Sequence, residues 1–421
     1  MKALIDKSEI RGKVTAPSSK SHTIRGLMGA ALAKGKSDIL SPLVAEDTRA
    51  AVDVLGQVGI HVHQQKELWK VGGGNLHKPD ADLFCGDSAL TLRFMTAICS
   101  LVPGRCRLVP GPSLARRPVA PLIQALRQLG VDCSSQGEVA PVVVDGGRLK
   151  GGAVDLPGDV SSQFISALLL ISPLAEAGVT IRLTTPPESK PFILMTLDCL
   201  KIFGVKAAFA KDLRHFEVTR QAYRPARYQV EGDWSSASYF LALGALSGEV
   251  KVANLNPKSR QGDKIILNLL KEMGAPVEIE PDSVTVRRSR LKAIRADLAD
   301  CIDLLPTMAV LAATADGVSE FTGIERARLK ESDRVAGVRE GLERMGVKVI
   351  EERGRLAIAG SVPRGSTIDP RGDHRLAMAF GILGSRAGGT IIDGAECVAK
   401  TYPQFWDELK SIVGEVKIDG K

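Results

Sequence analysis

Residues 51–62, AVDVLGQVGIHV, read as an amphipathic helix that closes on Gly59 and passes straight into a strand. The same phrase returns as LIQALRQLGVDC (122–133), MTLDCLKIFGVKA (195–207), ILNLLKEMGAPVEI (266–279) and VREGLERMGVKVI (338–350), and more weakly as FWDELKSIVGEVKI (405–418). The marker glycines Gly59, Gly130, Gly204, Gly274, Gly346 and Gly414 stay about seventy residues apart, a period that signals internal repetition. Glycine there suits a left-handed residue just past the helix end, a conformation other residues adopt only with strain.

A second helix class alternates with the first: KSHTIRGLMGAALAKG (20–35), DSALTLRFMTAICSLVPG (87–104), SSQFISALLLISPLAEAG (161–178), SSASYFLALGALSGE (235–249), IDLLPTMAVLAATADG (302–317) and DHRLAMAFGILGSRAGG (373–389). Apolar on nearly every side, these helices are expected to be buried. A short β run follows each, and a hairpin and strand precede it, so one unit reads βαβαββ. The last unit stops after EVKID, and ALIDK with RGKVTAP at the start is expected to complete it. Six units then form an α/β protein of two domains, residues 17–230 and residues 1–16 plus 231–421, three units each. The chain crosses between them twice, a natural place for a hinge and a cleft that holds the active site.

Composition agrees with two such cores, since 421 residues with 44% hydrophobic content exceed one ordinary domain. The net charge of +8 suits acidic small-molecule partners. Aromatics at 4% supply no stacking platform for single-stranded nucleic acid, and no run of like charges reads as a nucleic-acid tail. No apolar stretch is long enough to span a membrane or act as a signal peptide, so a cytoplasmic monomer is expected. The seven cysteines show no CxxC spacing and read as reduced thiols. There is no HExxH, GxGxxG or P-loop, so neither a metal nor a cofactor is implied, and His61 and His63 fit strand alternation.

Polar residues collect at the starts of the helices. On the buried class these are Ser18-Ser19-Lys20-Ser21, Gly86-Asp87-Ser88, Ser161-Ser162-Gln163, Ser235-Ser236, Asp303 and Asp373-His374-Arg375. On the surface class they are Arg116-Arg117-Pro118, Ser189-Lys190-Pro191, Lys330-Glu331-Ser332-Asp333-Arg334 and Lys400-Thr401-Tyr402-Pro403. Helix N-termini hold anions weakly, by about 0.3–1 kcal/mol each. Ser88, Asp159, Ser235 and Ser236 are expected to serve as helix caps. Cations disfavour the positive helix end, so several at matched repeat positions point to a site for small, highly anionic substrates.

The motifs PSSKSHTIR, GDSALTLRF, RRPVAPLIQALRQLGV, SSQFISALLL, SKPF, VEGDWSSASYFLA, RLKESDR, GDHRLAMA and AKTYPQFW run in this order over nearly the whole length. Together they resemble the EPSP synthase family, the 3-phosphoshikimate 1-carboxyvinyltransferases (EC 2.5.1.19) of aromatic amino acid biosynthesis. The resemblance implies an inside-out α/β barrel in two domains. It implies transfer of the enolpyruvyl group of phosphoenolpyruvate to the 5-hydroxyl of shikimate 3-phosphate, with release of phosphate. On that resemblance Lys20 contacts both substrates, and Ser21, Arg25, Ser161, Ser162, Ser189 and Lys330 bind shikimate 3-phosphate. Gln163 sits between the substrates, and Arg117, Arg334, Arg375 and Lys400 bind phosphoenolpyruvate. Asp303 is the base on the hydroxyl and also faces shikimate 3-phosphate, and Glu331 transfers the proton at the methylene carbon. The chemistry requires such a pair, because the methylene must accept a proton while a base faces the attacking hydroxyl. His374 is read as making a structural hydrogen bond.

Two departures stand out. Asp87-Ser88-Ala89 replaces the family's common Asn-Ala-Gly, and Ala89 puts a methyl group on the phosphoenolpyruvate side, which implies reduced glyphosate inhibition. Arg326 replaces an Asn that contacts shikimate 3-phosphate in many relatives, and an arginine can still reach that phosphate. Two rivals predict other features: the UDP-N-acetylglucosamine enolpyruvyl transferases carry Lys-Asn where Lys20-Ser21 stands and a loop Cys, and a binding scaffold would not concentrate acids and bases at one end of its units.

Overall fold

The computed structural model describes residues 1–414 and 416–420. The chain divides into two compact units, Met1–Pro17 with Glu231–Lys421, and Ser18–Val230, so the first boundary lies one residue past the expected 16/17. The described residues contain twelve α-helices. In Ser18–Val230 these are α1 Lys20–Leu32, α2 Glu46–Gln57, α3 Ala89–Ile98, α4 Ala120–Gln128, α5 Ser162–Ile171 and α6 Lys190–Ile202. In the other unit they are α7 Trp234–Ser247, α8 Ile266–Glu272, α9 Leu305–Ala312, α10 Arg334–Arg344, α11 His374–Ala387 and α12 Phe405–Ile412.

The marker glycines work as read in five of six cases. Gly59, Gly130, Gly204, Gly274 and Gly346 have φ between +80° and +92°. The residue after each donates its N–H to a leucine carbonyl in the helix: Ile60 to Leu55 (2.9 Å), Val131 to Leu126 (3.1 Å), Val205 to Leu200 (2.9 Å), Ala275 to Leu270 (2.9 Å) and Val347 to Leu342 (3.0 Å). Both partners are buried each time, so one left-handed residue satisfies an orphan carbonyl and closes an apolar contact. Gly414 differs. α12 ends on Val413 in an extended conformation (φ −111°, ψ 116°), so the chain needs no left-handed turn there.

Six four-stranded sheets occur among the described residues, three in each unit. In four of them the parallel pair flanks a buried helix, as Leu83–Phe84 and Gly104–Val109 flank α3, and in three of these a hairpin pairs antiparallel on one side. The two crossings exchange strands in the remaining two sheets. Arg227–Gln229, which leads into α7, pairs parallel with Gly35–Leu40, while Ile10–Thr15, which leads into α1, pairs parallel with Gly248–Ala253. Lys2–Ile5 lies between Thr390–Asp393 and Val416–Asp419, so the chain's start completes its last sheet.

Each unit has its own apolar core. Every residue of α7 and of α9 is buried, as is α11 from His374 to Ser385. Small residues permit close approach: a Cβ on Gly341 of α10 would lie 2.2 Å from Phe380 of α11, and one on Gly29 of α1 would lie 2.5 Å from Phe203. Packing therefore consumes the whole length of the buried helices, and their polar first turns are what remains for chemistry.

Candidate functional site

In Ser18–Val230 the starts of α1, α2 and α3 meet. Ser19 caps α1, and Lys20, its first residue, places Nζ 2.9 Å from the Asp47 carboxylate in the first turn of α2. Asp47 is buried, and its carbonyl accepts from Thr91 Oγ1 of α3 at 3.4 Å. The carboxylate offsets the penalty for a lysine at the positive helix end. Sequence reading missed Asp47, although its place at a helix start was a usable signal.

Ser88 caps α3, accepting from the Thr91 N–H, and Ala89 follows as the buried first residue of the helix. Asp87 does not cap. Its Oδ1 accepts from the N–H groups of Ser113 (2.9 Å) and Leu114 (3.1 Å). It thereby holds the turn that carries Arg117, which is 7% exposed. Arg116 is exposed. Both precede α4, which starts only at Ala120, so these cations stand before the surface helix and not in its first turn.

Arg93, on the second turn of α3, organises the start of α5. Its Nη1 donates to Ser161 Oγ (3.1 Å) and Gln163 Oε1 (2.8 Å), and its Nη2 donates to the Pro118 carbonyl (3.0 Å). The guanidinium lies 4.7 Å from the Phe164 ring centroid. Ser161 caps α5, with Ser162 and Gln163 in its first turn. Asp159 does not cap; it accepts from Thr185 Oγ1. Arg93 lies within GDSALTLRF, but an arginine inside an apolar helix has no legible role until the neighbouring helix is known.

Ser21 is the second residue of α1. Arg25, one turn on, is 1% exposed and donates to Thr196 Oγ1 (2.8 Å), the Ser21 carbonyl (3.1 Å) and the Phe192 carbonyl (3.0 Å). Burial brings its pKa down to about 10. It ties α1 to the first turn of α6. Ser189, at the N-cap of α6, has φ +53° and ψ +42°, a left-handed conformation that a non-glycine residue holds at a cost of about 1–3 kcal/mol.

In the other unit one guanidinium gathers three carboxylates. Arg334, 1% exposed at the start of α10, donates to Asp303 (2.7 Å), Glu331 (2.5 Å) and Asp373 (2.8 Å). Asp303 also meets Lys330 (3.3 Å) and Arg375 (3.3 Å), and Glu331 faces Lys400 at 3.7 Å. Asp373 caps α11, accepting the Arg375 N–H at 2.9 Å, and also accepts from Ser332 Oγ. His374 is fully buried, with Nδ1 3.9 Å from Asp373. Lys330 and Glu331 follow a 3₁₀ turn, and Lys400 ends another, so these too precede their surface helices. Arg326 donates to the Ala299 carbonyl at 2.6 Å.

Burial opposes ionisation of Asp303, yet Arg375, Lys330 and Arg334 outweigh it and hold the carboxyl well below its usual range. Burial brings Lys330 down to about 8, with Asp303 pulling the other way. Asp263, unnoticed in the sequence, is 2% exposed and is pushed up to about 7 by burial, then by Asp303. It accepts from Ser235 Oγ, so Ser235 is no cap; Asp233 caps α7 and receives the Ser236 N–H. Four cations and three carboxylates in one buried cluster can orient an anionic substrate and move protons at two distinct carboxyl groups.

A profile of the EPSP synthase (3-phosphoshikimate 1-carboxyvinyltransferase) family matches residues 5–409. The chain is 49% identical over 418 residues to a 3-phosphoshikimate 1-carboxyvinyltransferase of Dehalococcoides mccartyi, covering 99% of each. It is 40% identical to one from Methanocaldococcus jannaschii over 97% of each. Among solved structures it is similar to an EPSP synthase from Acinetobacter baumannii, with a TM-score of 0.83, 25% identity and 100% of both chains covered.

Proposed function

The chain belongs to the EPSP synthase (3-phosphoshikimate 1-carboxyvinyltransferase) family of enzymes, and from that membership we propose that it moves the enolpyruvyl group of phosphoenolpyruvate to the 5-hydroxyl of shikimate 3-phosphate. The observation that carries the reading is the pair of carboxylates, Asp303 and Glu331, joined by the buried Arg334. Asp303 takes the hydroxyl proton and passes it to the departing phosphate, while Glu331 enters the step protonated and delivers its proton to the methylene carbon. A carboxylate held far below its usual range is a weak base. When Lys330, Arg334 and Arg375 turn toward substrate anions, Asp303 loses their stabilisation, and burial then raises its basicity at the moment it is needed. The tetrahedral adduct then expels phosphate while the methyl proton returns to the carboxylate.

Lys20, Ser21, Arg25, Ser161, Ser162, Gln163 and Ser189 bind shikimate 3-phosphate in this reading, with Lys330, Arg326 and Asp303 from the second unit. Lys20, Gln163, Arg117, Arg334, Arg375 and Lys400 bind phosphoenolpyruvate beside Ala89. Each unit supplies groups the other lacks, so the reading requires both. The test is phosphate release with both substrates, omitting each in turn and offering UDP-N-acetylglucosamine as alternative acceptor. Release that needs both substrates is expected; release with the nucleotide sugar alone as acceptor would overturn the assignment. The Ala89 methyl reduces the room for glyphosate, so Ala89→Gly lowers its inhibition constant about tenfold or more, and equal constants would remove the methyl as the cause.

A further inference from the structure

We propose that the unit containing Met1–Pro17 carries a second anion site, a cavity at the C-terminal ends of α7, α9 and α11 that takes a small oligoanion bearing several phosphate or carboxylate groups. The cavity measures about 930 Å³, enough for a metabolite-sized ligand. Its wall includes Lys7, Arg288, Arg290 and Arg386, from three separate segments, against one carboxylate, Asp316. Arg290 pairs with Asp316, whereas Lys7, Arg288 and Arg386 make no ion pair among the described residues. Ser289 Oγ, on the same wall, is shielded from solvent and has no hydrogen-bond partner there.

An ordinary explanation exists, because helix C-termini attract cations. The repeat shows that it is insufficient. In this unit three serines donate their N–H groups to carbonyls at those helix ends: Ser289 to Ala245 (3.4 Å), Ser361 to Ala313 (2.9 Å) and Ser8 to Ser385 (3.0 Å). In Ser18–Val230 the same bonds come from Gly74 to Ala31, Gly147 to Ser100 and Gln221 to Pro173. The residues before them are Gly73, Gly146 and Arg220 there, but Arg288, Gly360 and Lys7 here. At two of the three ends the other unit closes with glycines alone, so Arg288 and the serines answer to something other than the fold; at the third, Arg220 stands where Lys7 does.

The charge balance favours an anion. Four cations and one carboxylate leave three positive charges, about twice the roughly 1.5 negative charges of three helix C-termini. Cations arriving from separate segments cannot all pair with one carboxylate group, so the ligand must present several anionic oxygens. Ser289 Oγ supplies a hydroxyl donor.

The experiment is calorimetric titration of the full chain with inorganic tripolyphosphate and, separately, with citrate, at constant ionic strength. The stronger anion identifies which group the site prefers. Arg288→Gln/Arg386→Gln is expected to weaken that binding about tenfold or more while leaving phosphate-release kcat and KM within about twofold. Lys7→Gln/Ser289→Ala is a second variant that should act in the same direction. Arg117→Gln/Lys400→Gln, which removes cations from the half-sites described above, should keep the binding. Loss in that last variant with retention in the first two would overturn the proposal. So would equal losses in all three, which would assign the effect to long-range charge, or no binding of either anion at about 1 mM.

Discussion

Replacing Arg334 by methionine removes a group that touches Asp303, Glu331 and Asp373 together. The three carboxylates are not affected equally. Asp303 keeps Lys330 and Arg375, and Glu331 keeps Lys400. Asp373, fully buried, is left with hydrogen bonds from Ser332 and the Arg375 N–H and with His374 at 3.9 Å. An uncompensated buried charge costs about 3–5 kcal/mol. At about 2–4 °C per kcal/mol for a unit of this size, Arg334→Met should lower its melting temperature by about 10 °C. Asp373→Asn alone should cost about 1–2 kcal/mol, since asparagine still caps α11 and Arg334 keeps two partners. The double variant should recover at least about 1.5 kcal/mol of the summed losses, because it removes the stranded charge. Urea unfolding followed by circular dichroism, fitted for the unit that melts, measures all four corners of the cycle. Additive losses, or an Arg334→Met variant within about 1 kcal/mol of the parent, would refute the view that this guanidinium neutralises Asp373.

Lys330, brought down to about 8 by burial, loses its ammonium charge as pH rises through that value, so KM for shikimate 3-phosphate should climb about tenfold between pH 7 and 9. Lys330→Arg should flatten the rise, and a flat parent profile would exclude a phosphate contact. Asp263 holds a proton up to about pH 7 when folded and to about pH 4 when unfolded. The folded chain binds the extra proton between those values, so this stabilisation is complete below pH 4 and lost as pH rises to 7. Asp263→Asn should remove that slope, on the order of 4 kcal/mol at most, seen as a smaller difference in urea stability between pH 4.5 and 7.5. Arg93→Ala should lower kcat/KM about a hundredfold by freeing Gln163, with loss of about 2–3 kcal/mol of stability, whereas unchanged kinetics would make Arg93 purely structural.

The repeat, the two helix classes and the glycine stops were legible in the sequence because each rests on neighbours along the chain. Helix periodicity spans three or four residues, and a left-handed glycine such as Gly346 closes its helix on a leucine only five residues before the bond's donor. Gly414 failed as a marker because α12 stops before it, with Val413 already extended. Caps were legible at Ser88 and misread at Ser235, whose hydroxyl is claimed by Asp263, 28 residues away.

The amino-acid order by itself therefore determined which helices are buried and that cations and carboxylates lie near helix starts. Only the tertiary structure decided their partners. Lys20 meets Asp47, Arg93 meets Gln163 across 70 residues, and Arg334 meets Asp303 and Asp373 across 31 and 39. It also decided that Arg117, Lys330 and Lys400 precede their surface helices instead of opening them. The physical reason is reach. Helix periodicity and capping act within one or two turns, whereas an ion pair forms wherever packing brings two side chains within about 4 Å. In each unit that distance is set by buried helices packed side by side, which no local pattern encodes.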